Sequence, residues 1–257
     1  LTARLLAAQS RGTLAQRVRS VVEDNRARAT TRPCAPDALH RRMAARTTAT
    51  PSPLSPPIWF HLLAGPNGAG KSTLYRALVR EGILGPPLEF VNADLHERDA
   101  LQHITNPQER SEAARQWADQ RRSTLLAART PFASETVFSH PSKLTLIEAA
   151  RSQGYTVALH IVALDDPQRL LTRVAQRVRE GGHPVPPDRI LARYPRTMAH
   201  LAQAVQWAHV AYLYDAHDIE HGGPRLVAVA TPAAVTVVDA PLPAWAQRML
   251  EPGSASA

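Results

Sequence analysis

Residues 58–80 read IWFHLLAGPNGAGKSTLYRALVR. The apolar run from Ile58 to Leu63 has the composition of a buried strand, and Lys71 to Arg80 reads as a helix. Between them, Gly65-Pro66-Asn67-Gly68-Ala69-Gly70-Lys71-Ser72-Thr73 fits the pattern G-x-x-x-x-G-K-[ST] in the strand–loop–helix setting that the pattern needs. Its glycines let backbone N–H groups turn inward around phosphate oxygens, and the helix start adds partial positive charge. In this arrangement Lys71 reaches the β- and γ-phosphates and Ser72 holds Mg²⁺. Lysine is scarce here: Lys71 and Lys143 stand against 28 arginines, so a lysine at this position is not ordinary surface. The stretch predicts a nucleoside-triphosphate site.

Outward from the loop, strands and helices alternate. Leu88 to Asn92 reads as a strand ending near Asp94, followed by a long helix from about Pro107 to Ala128. Phe132 to Val137 and Thr156 to Leu164 read as strands, with a helix from Ser142 to Gln153 between them that stops at Gly154. An amphipathic helix from Pro167 to Glu180 and a helical stretch from about Pro187 to Ala208, with Pro195 as a candidate kink, come next. Arg225 to Ala230 and Ala234 to Asp239 look like two strands, before a last helix near Trp245. Such alternation with near-continuous apolar strands predicts an α/β fold: a parallel P-loop sheet with helices on both faces. This α/β body spans residues 58–250.

Ahead of the body lies a different kind of sequence. Pro51-Ser-Pro-Leu-Ser-Pro-Pro57 reads as a stiff spacer over 51–57, because proline fixes φ and cannot donate a backbone hydrogen bond. Residues 1–50 hold ten arginines against Glu23, Asp24 and Asp37, a balance of +7, while the rest of the chain carries +1 of the total +8. The basicity therefore belongs to a small helical appendage, with capping-box spacing at Thr13 and Gln16, and a near-neutral body offers no broad field for nucleic acid. The appendage also has the Arg-, Ala- and Ser-rich composition of an organelle transit peptide. The chain opens at Leu1 instead of Met, which leaves room for residues ahead of it. No apolar run approaches the ~20 residues that span a bilayer, and a single cysteine, Cys34, forms no internal disulfide, so a cytoplasmic setting is expected.

The loop motif alone does not choose among nucleotide proteins. With lysine only at 71 and 143, no Asn-Lys-x-Asp guanine reader exists. Asp165 and Asp166 end an apolar strand as a motor ATPase would want, or they are a strand end and a helix cap. For a kinase, Asp94 at the carboxyl end of the sheet is placed to take a proton from an acceptor hydroxyl; the alternative is a cap on the next helix. Glu135 could bind Mg²⁺ through water or hold a substrate hydroxyl, or face solvent at a strand end. Arg169, Arg173 and Arg177 form one stripe, either a solvated face or, with Gly181-Gly182-His183 and Arg193, a lid that neutralises a transferring phosphoryl group.

Together these motifs resemble the zeta-toxin family of P-loop kinases. The resemblance runs from about Ile58 to Val238 and rests on the loop through Tyr75, Phe90-Val-Asn-Ala-Asp94, Glu135-Thr-Val-Phe-Ser-His-Pro-Ser142, Gly154-Tyr155, the arginine helix with its glycine pair, and Arg193-Tyr194. It implies a five-stranded nucleotide-kinase-like sheet and phosphorylation by ATP and Mg²⁺ of the 3′-hydroxyl of UDP-N-acetylglucosamine. By that resemblance Lys71 and Ser72 hold ATP and Mg²⁺, and Asp94 activates the hydroxyl. Asn92, Glu135 and Thr136 face the nucleotide sugar, Arg177 and Arg193 clamp phosphates with Arg173 as the competitor one turn away, and His183 shapes the loop or touches substrate. Tyr214-Asp215-Ala216-His217 departs from an Asp-Asn-Ser carried by many relatives, so no role is carried onto it. Two other readings remain: a kinase of an antibiotic or another small hydroxylated metabolite, and an ATP-dependent regulatory module whose basic arm grips nucleic acid. The resemblance also implies an antitoxin partner, or inhibition in cis by residues 1–50.

Overall fold

The computed structural model describes Gln16 and residues 56–86, 88–180, 185–219 and 223–251. Apart from Gln16, the appendage over 1–50 lies outside the described residues, as do most of the proline spacer and Gly181, Gly182 and His183. Seven strands form one sheet in the order β2-β3-β1-β4-β5-β6-β7. They are β1 (Ile58–Ala64), β2 (Glu89–Val91), β3 (Phe132–Thr136), β4 (Tyr155–Ala163), β5 (Val210–Asp215), β6 (Arg225–Thr231) and β7 (Ala234–Val237). Seven helices accompany them among the described residues: α1 (Lys71–Arg80), α2 (Ala93–Ala100), α3 (Pro107–Ala127), α4 (Ser142–Ser152), α5 (Pro167–Arg179), α6 (Pro187–Trp207) and α7 (Ala244–Leu250). No described helix is long and apolar enough to cross a membrane.

The first five strands run parallel, as the alternating pattern predicts. Strands β6 and β7 depart from it by pairing antiparallel. Only Pro232 and Ala233 separate Thr231 from Ala234, and two residues close a hairpin but cannot make the long crossover that a parallel pair needs. The five-stranded parallel sheet thus gains an antiparallel edge. Helix α2 was not expected, and Pro195 lies within α6 without ending it.

Strand β1 is apolar at nearly every position because both faces are covered. Phe60, Leu62 and Ala64 pack with Leu125 of α3, Ile147 of α4 and Leu201 of α6. Leu63 packs on the other side with Leu74 and Leu78 of α1 and Leu170 and Val174 of α5. Helix α1 and helices α3 and α4 therefore cover opposite faces of the sheet. Register places the chemistry at the carboxyl ends of the strands. Leu63 lies beside Glu135, Ala64 beside Thr136, and Val91 beside Ser134, so Asn92 leaves β2 level with Glu135.

One polar ladder crosses the core. His61 Nδ1 lies 3.1 Å from His160 Nε2, and His160 Nδ1 lies 3.4 Å from the hydroxyl of the fully buried Tyr214. Burial pushes His61 down to about 4 and His160 well below its ordinary value, with His61 adding to the effect on His160. Both are neutral in the folded protein near pH 7 and gain protons on unfolding. Their contribution is present in full above about pH 6.5 and is lost as pH falls toward 4, by about 3 kcal/mol for His61 alone. Denaturant midpoints measured between pH 7 and pH 4 should fall steeply, and His61→Phe should make that slope shallower.

Candidate active site

Gly65, Gly68 and Gly70 shape the loop between β1 and α1. Gly65 has φ 155°, and a Cβ there would meet the Val162 carbonyl oxygen of β4 at 2.1 Å. Gly70, the N-cap of α1, has φ 94°, and a Cβ there would meet Ile219 Cδ1 at 2.2 Å. The loop is thus pressed onto the sheet edge, where only glycine fits, and its backbone turns over the N-terminus of α1. Pro66 and Ala69 close the turn through a bond from the Ala69 N–H to the Pro66 carbonyl at 3.2 Å.

Lys71 is buried at the first position of α1, and its Nζ donates to the Pro66 carbonyl at 3.0 Å. Its ammonium lies 3.9 Å from Glu135 Oε1. Burial pushes the Lys71 pKa down, opposed by Glu135 and Asp94, while Arg177 adds to the depression. Burial pushes Glu135 up, with Asp94 acting the same way and Lys71, Arg177 and a hydrogen bond from Ser72 opposing it. A buried ammonium with one carbonyl and a carboxylate at the edge of contact keeps donor capacity for phosphate oxygens. The Ser72 hydroxyl beside the Glu135 carboxylate is an oxygen donor pair of the kind that suits Mg²⁺. The buried Oδ1 of Asn67 has no hydrogen-bond partner among the described residues, so the loop carries an unmet polar atom as well.

Asn92 does two things at once. Its Oδ1 accepts from the Leu95 N–H and caps α2, while its Nδ2 donates to Glu135 Oε2 at 2.8 Å. The cap reading of Asp94 is therefore corrected: Asn92 is the cap, and Asp94 stands exposed in the first turn of α2. A cleft of about 1770 Å³ opens here and brings together Asn67, Lys71, Asn92, Asp94, Glu135 and Thr136. Arg177 of α5 and Arg193 of α6 line the same cleft.

The arginine stripe divides along its length. Arg173 donates to the carbonyls of Ala216 and His217 at 2.8 and 3.1 Å, and Arg169 reaches the His217 ring. Arg173 holds the segment after β5, and Arg177, one turn on, is the one of the two that lines the cleft. Glu135 faces Lys71 and not solvent, and Thr136 Oγ1 accepts from the Phe138 N–H. Asp166 caps α5 through the Gln168 N–H, and Asp165 bonds the Ala244 N–H and Arg248, which answers the choice at that strand end in favour of a cap. Sequence reasoning missed Lys143, Arg122, Arg189 and Arg196, which also line the cleft; the scarcity of lysine was the one signal that could have found Lys143.

A family model described as an AAA domain, AAA_33, matches residues 60–201, more than half of the chain. The chain belongs to the AAA_33 family. The matched range of this AAA domain includes the glycine loop, Asp94, Glu135, Arg177 and Arg193. Among solved structures, its fold is similar to a chain of the AvrRxo1-ORF1:-ORF2 complex with ATP. The TM-score is 0.52 at 18% identity, over 70% of this chain and 60% of that one. The same complex with sulphate ions gives 0.50 at 19% identity, over 72% and 61%. A chain of the PezAT chromosomal toxin-antitoxin system of Streptococcus pneumoniae aligns at 0.47 and 16% identity, over 63% and 68%. This chain thus spans about three fifths of the AvrRxo1 chains it matches, and the likeness is one of fold. No curated protein matches its sequence.

The split of the stripe has a measurable consequence. Arg173→Gln should cost about 1 kcal/mol in thermal or denaturant unfolding, since it leaves two carbonyls without a charged donor. Arg177→Gln should instead lower kcat/KM for ATP by about 10²-fold, with the smaller change in melting temperature.

Proposed function

We propose that this chain is an ATP-dependent kinase that transfers the γ-phosphoryl group to a hydroxyl of a nucleotide sugar, with the 3′-hydroxyl of UDP-N-acetylglucosamine as the acceptor its motifs best support. The observation that carries the reading is that Asp94 and Lys71 line one cleft with the Glu135 carboxylate close to both. The ATP in the AvrRxo1 complex, on a similar fold, supports ATP as the donor here.

The residues divide the work. The loop over 65–73 and Lys71 hold the β- and γ-phosphates, and Arg177 and Arg193 neutralise charge on the phosphoryl group in flight. Ser72, with Glu135 beside it, would hold Mg²⁺, which when bound would supply positive charge against the phosphates. Asp94 accepts the hydroxyl proton as the acceptor oxygen bonds to the γ-phosphorus and the bond to the β–γ bridging oxygen breaks. Asn92 fixes both carboxylates, because it caps the helix that carries Asp94 and bonds Glu135. Thr136 lines the same cleft beside Glu135 and would face the acceptor, and His183, outside the described residues, is proposed to contact substrate.

The AvrRxo1 complex pairs two proteins, which supports an inhibitory partner for this chain as well. The charge of the cleft bears on what that partner is. Among the described residues eight cationic side chains line it against five carboxylates, so an appendage of +7 is a poor plug and an acidic partner the better one.

Incubation with ATP, Mg²⁺ and a panel of nucleotide sugars, read by mass, should show one added phosphate on UDP-N-acetylglucosamine. Asp94→Asn should lower kcat by about 10²- to 10⁴-fold with little change in the KM for ATP. Product formation at the wild-type rate in that variant would remove Asp94 from the chemistry.

A further inference from the structure

The helix that carries Asp94 is short and has little apolar surface to hold it. Helix α2 runs eight residues, and its buried side chain is a carboxylate, Glu97. A helix of that length is not stable alone in water, so contacts with the rest of the fold must hold it. Here those contacts are polar. Arg110 of α3 donates from Nε to Glu97 Oε1 at 3.3 Å and from Nη1 to the Ile104 carbonyl at 3.2 Å. The Gln102 amide donates to the Glu97 carbonyl at 3.0 Å, and the His96 ring stacks on Trp117 of α3 with centroids 3.7 Å apart.

Asp94 and Glu97 are three residues apart, about 60° around the helix axis, and both line the cleft. The Asn92 cap fixes where the helix begins. One turn further on, the pair with α3 fixes how far the helix is rolled. That roll matters for the chemistry. A turn of about 20° carries a group about 5–6 Å from the axis through about 2 Å. A misplacement of about 1 Å at a reacting atom costs about 10²-fold in rate. Apolar contact has no direction and tolerates such a turn, whereas a hydrogen bond weakens steeply off its line. A buried carboxylate is also costly without its cation, so Glu97 and Arg110 hold each other in place.

We propose that Glu97 and Arg110 are positioning residues: their pair locks the roll of α2 against α3 and so sets where the Asp94 carboxylate stands in the cleft. The proposal rests on the kinase reading and deepens it, because the base is then aimed by an arginine of another helix, thirteen residues beyond Glu97 in the chain.

Two measurements on the full chain test it, one of them independent of activity: steady-state kinetics with the acceptor that wild type phosphorylates, and amide hydrogen exchange over residues 93–101. Glu97→Ala and Arg110→Ala should each lower kcat by about tenfold to 10²-fold and change the KM for ATP by less than about twofold. Each should speed exchange over 93–101 and leave α1 and β4 as in wild type. The double variant should lose no more than either single one, since both remove the same contact. Glu97→Gln keeps an acceptor for Arg110 and should hold kcat within about threefold of wild type. If Arg110→Ala fails to fold, the same substitution in the Glu97→Gln background leaves no buried charge unpaired and should show the same loss of kcat. A loss in Glu97→Ala with none in Arg110→Ala would make Glu97 a direct substrate contact and overturn the proposal. Losses that multiply in the double variant, or an unchanged exchange rate over α2, would overturn it too. Faster α2 exchange in both variants of a wild type that phosphorylates no acceptor would leave the lock standing and remove the kinase reading.

Discussion

A buried ammonium and a buried carboxylate, Lys71 and Glu135, face each other at 3.9 Å where β1 and β3 end, and the site is organised around that pair. Neither group is stable there alone, because burial disfavours the charged form of each and their mutual attraction only partly offsets it. The pair therefore tolerates and needs further partners. Glu135 takes one from each side: Asn92 from the end of β2 and Ser72 from the start of α1. Lys71 folds back on the Pro66 carbonyl, a contact that phosphate oxygens can replace at little cost. The strain of an incompletely matched ion pair is held ready for a polyanionic ligand.

The fold supplies this pair by register more than by local sequence. Ala64 beside Thr136 and Val91 beside Ser134 bring three strand ends level, and the chain then leaves each of them with a different chemical group. From β1 comes a phosphate loop, from β2 a helix that carries Asp94, and from β3 a carboxylate that ties the two together. The glycines matter for the same reason. A Cβ at Gly65 would collide with the Val162 carbonyl oxygen of β4, and Gly70 holds a φ of 94° that side chains rarely adopt, so a replacement at either strains the loop that carries Lys71.

Much of this was legible in the residues. The apolar continuity of β1 and β4 announced a sheet covered on both faces, and the glycine–lysine spacing announced the turn from β1 into α1 with Lys71 at its start. What stayed hidden has physical reasons. Helix α2 has almost no apolar period, because its single buried residue is Glu97, so periodicity could not find it; Asn92 as its cap went unseen for the same reason. The stripe Arg169-Arg173-Arg177 looked uniform, since helical spacing shows which side chains share a face but not where a neighbouring loop ends. The cations on α3, α4 and α6 are far apart in the chain and ordinary in composition. Only the packing of α3 and α4 on one face of the sheet, with α6 beside them, gathers them.

The central claim is spatial: one phosphoryl group passes between Lys71 and Asp94 across a single cleft. A crystal structure with Mg²⁺, a non-hydrolysable ATP analogue and UDP-N-acetylglucosamine measures it most directly. The account predicts the γ-phosphate within contact of Lys71 Nζ, and a sugar hydroxyl within about 3 Å of an Asp94 carboxylate oxygen and in line with the bond to be broken. A sugar seated elsewhere, or an Asp94 carboxylate turned away from every hydroxyl while ATP occupies the loop, would contradict it.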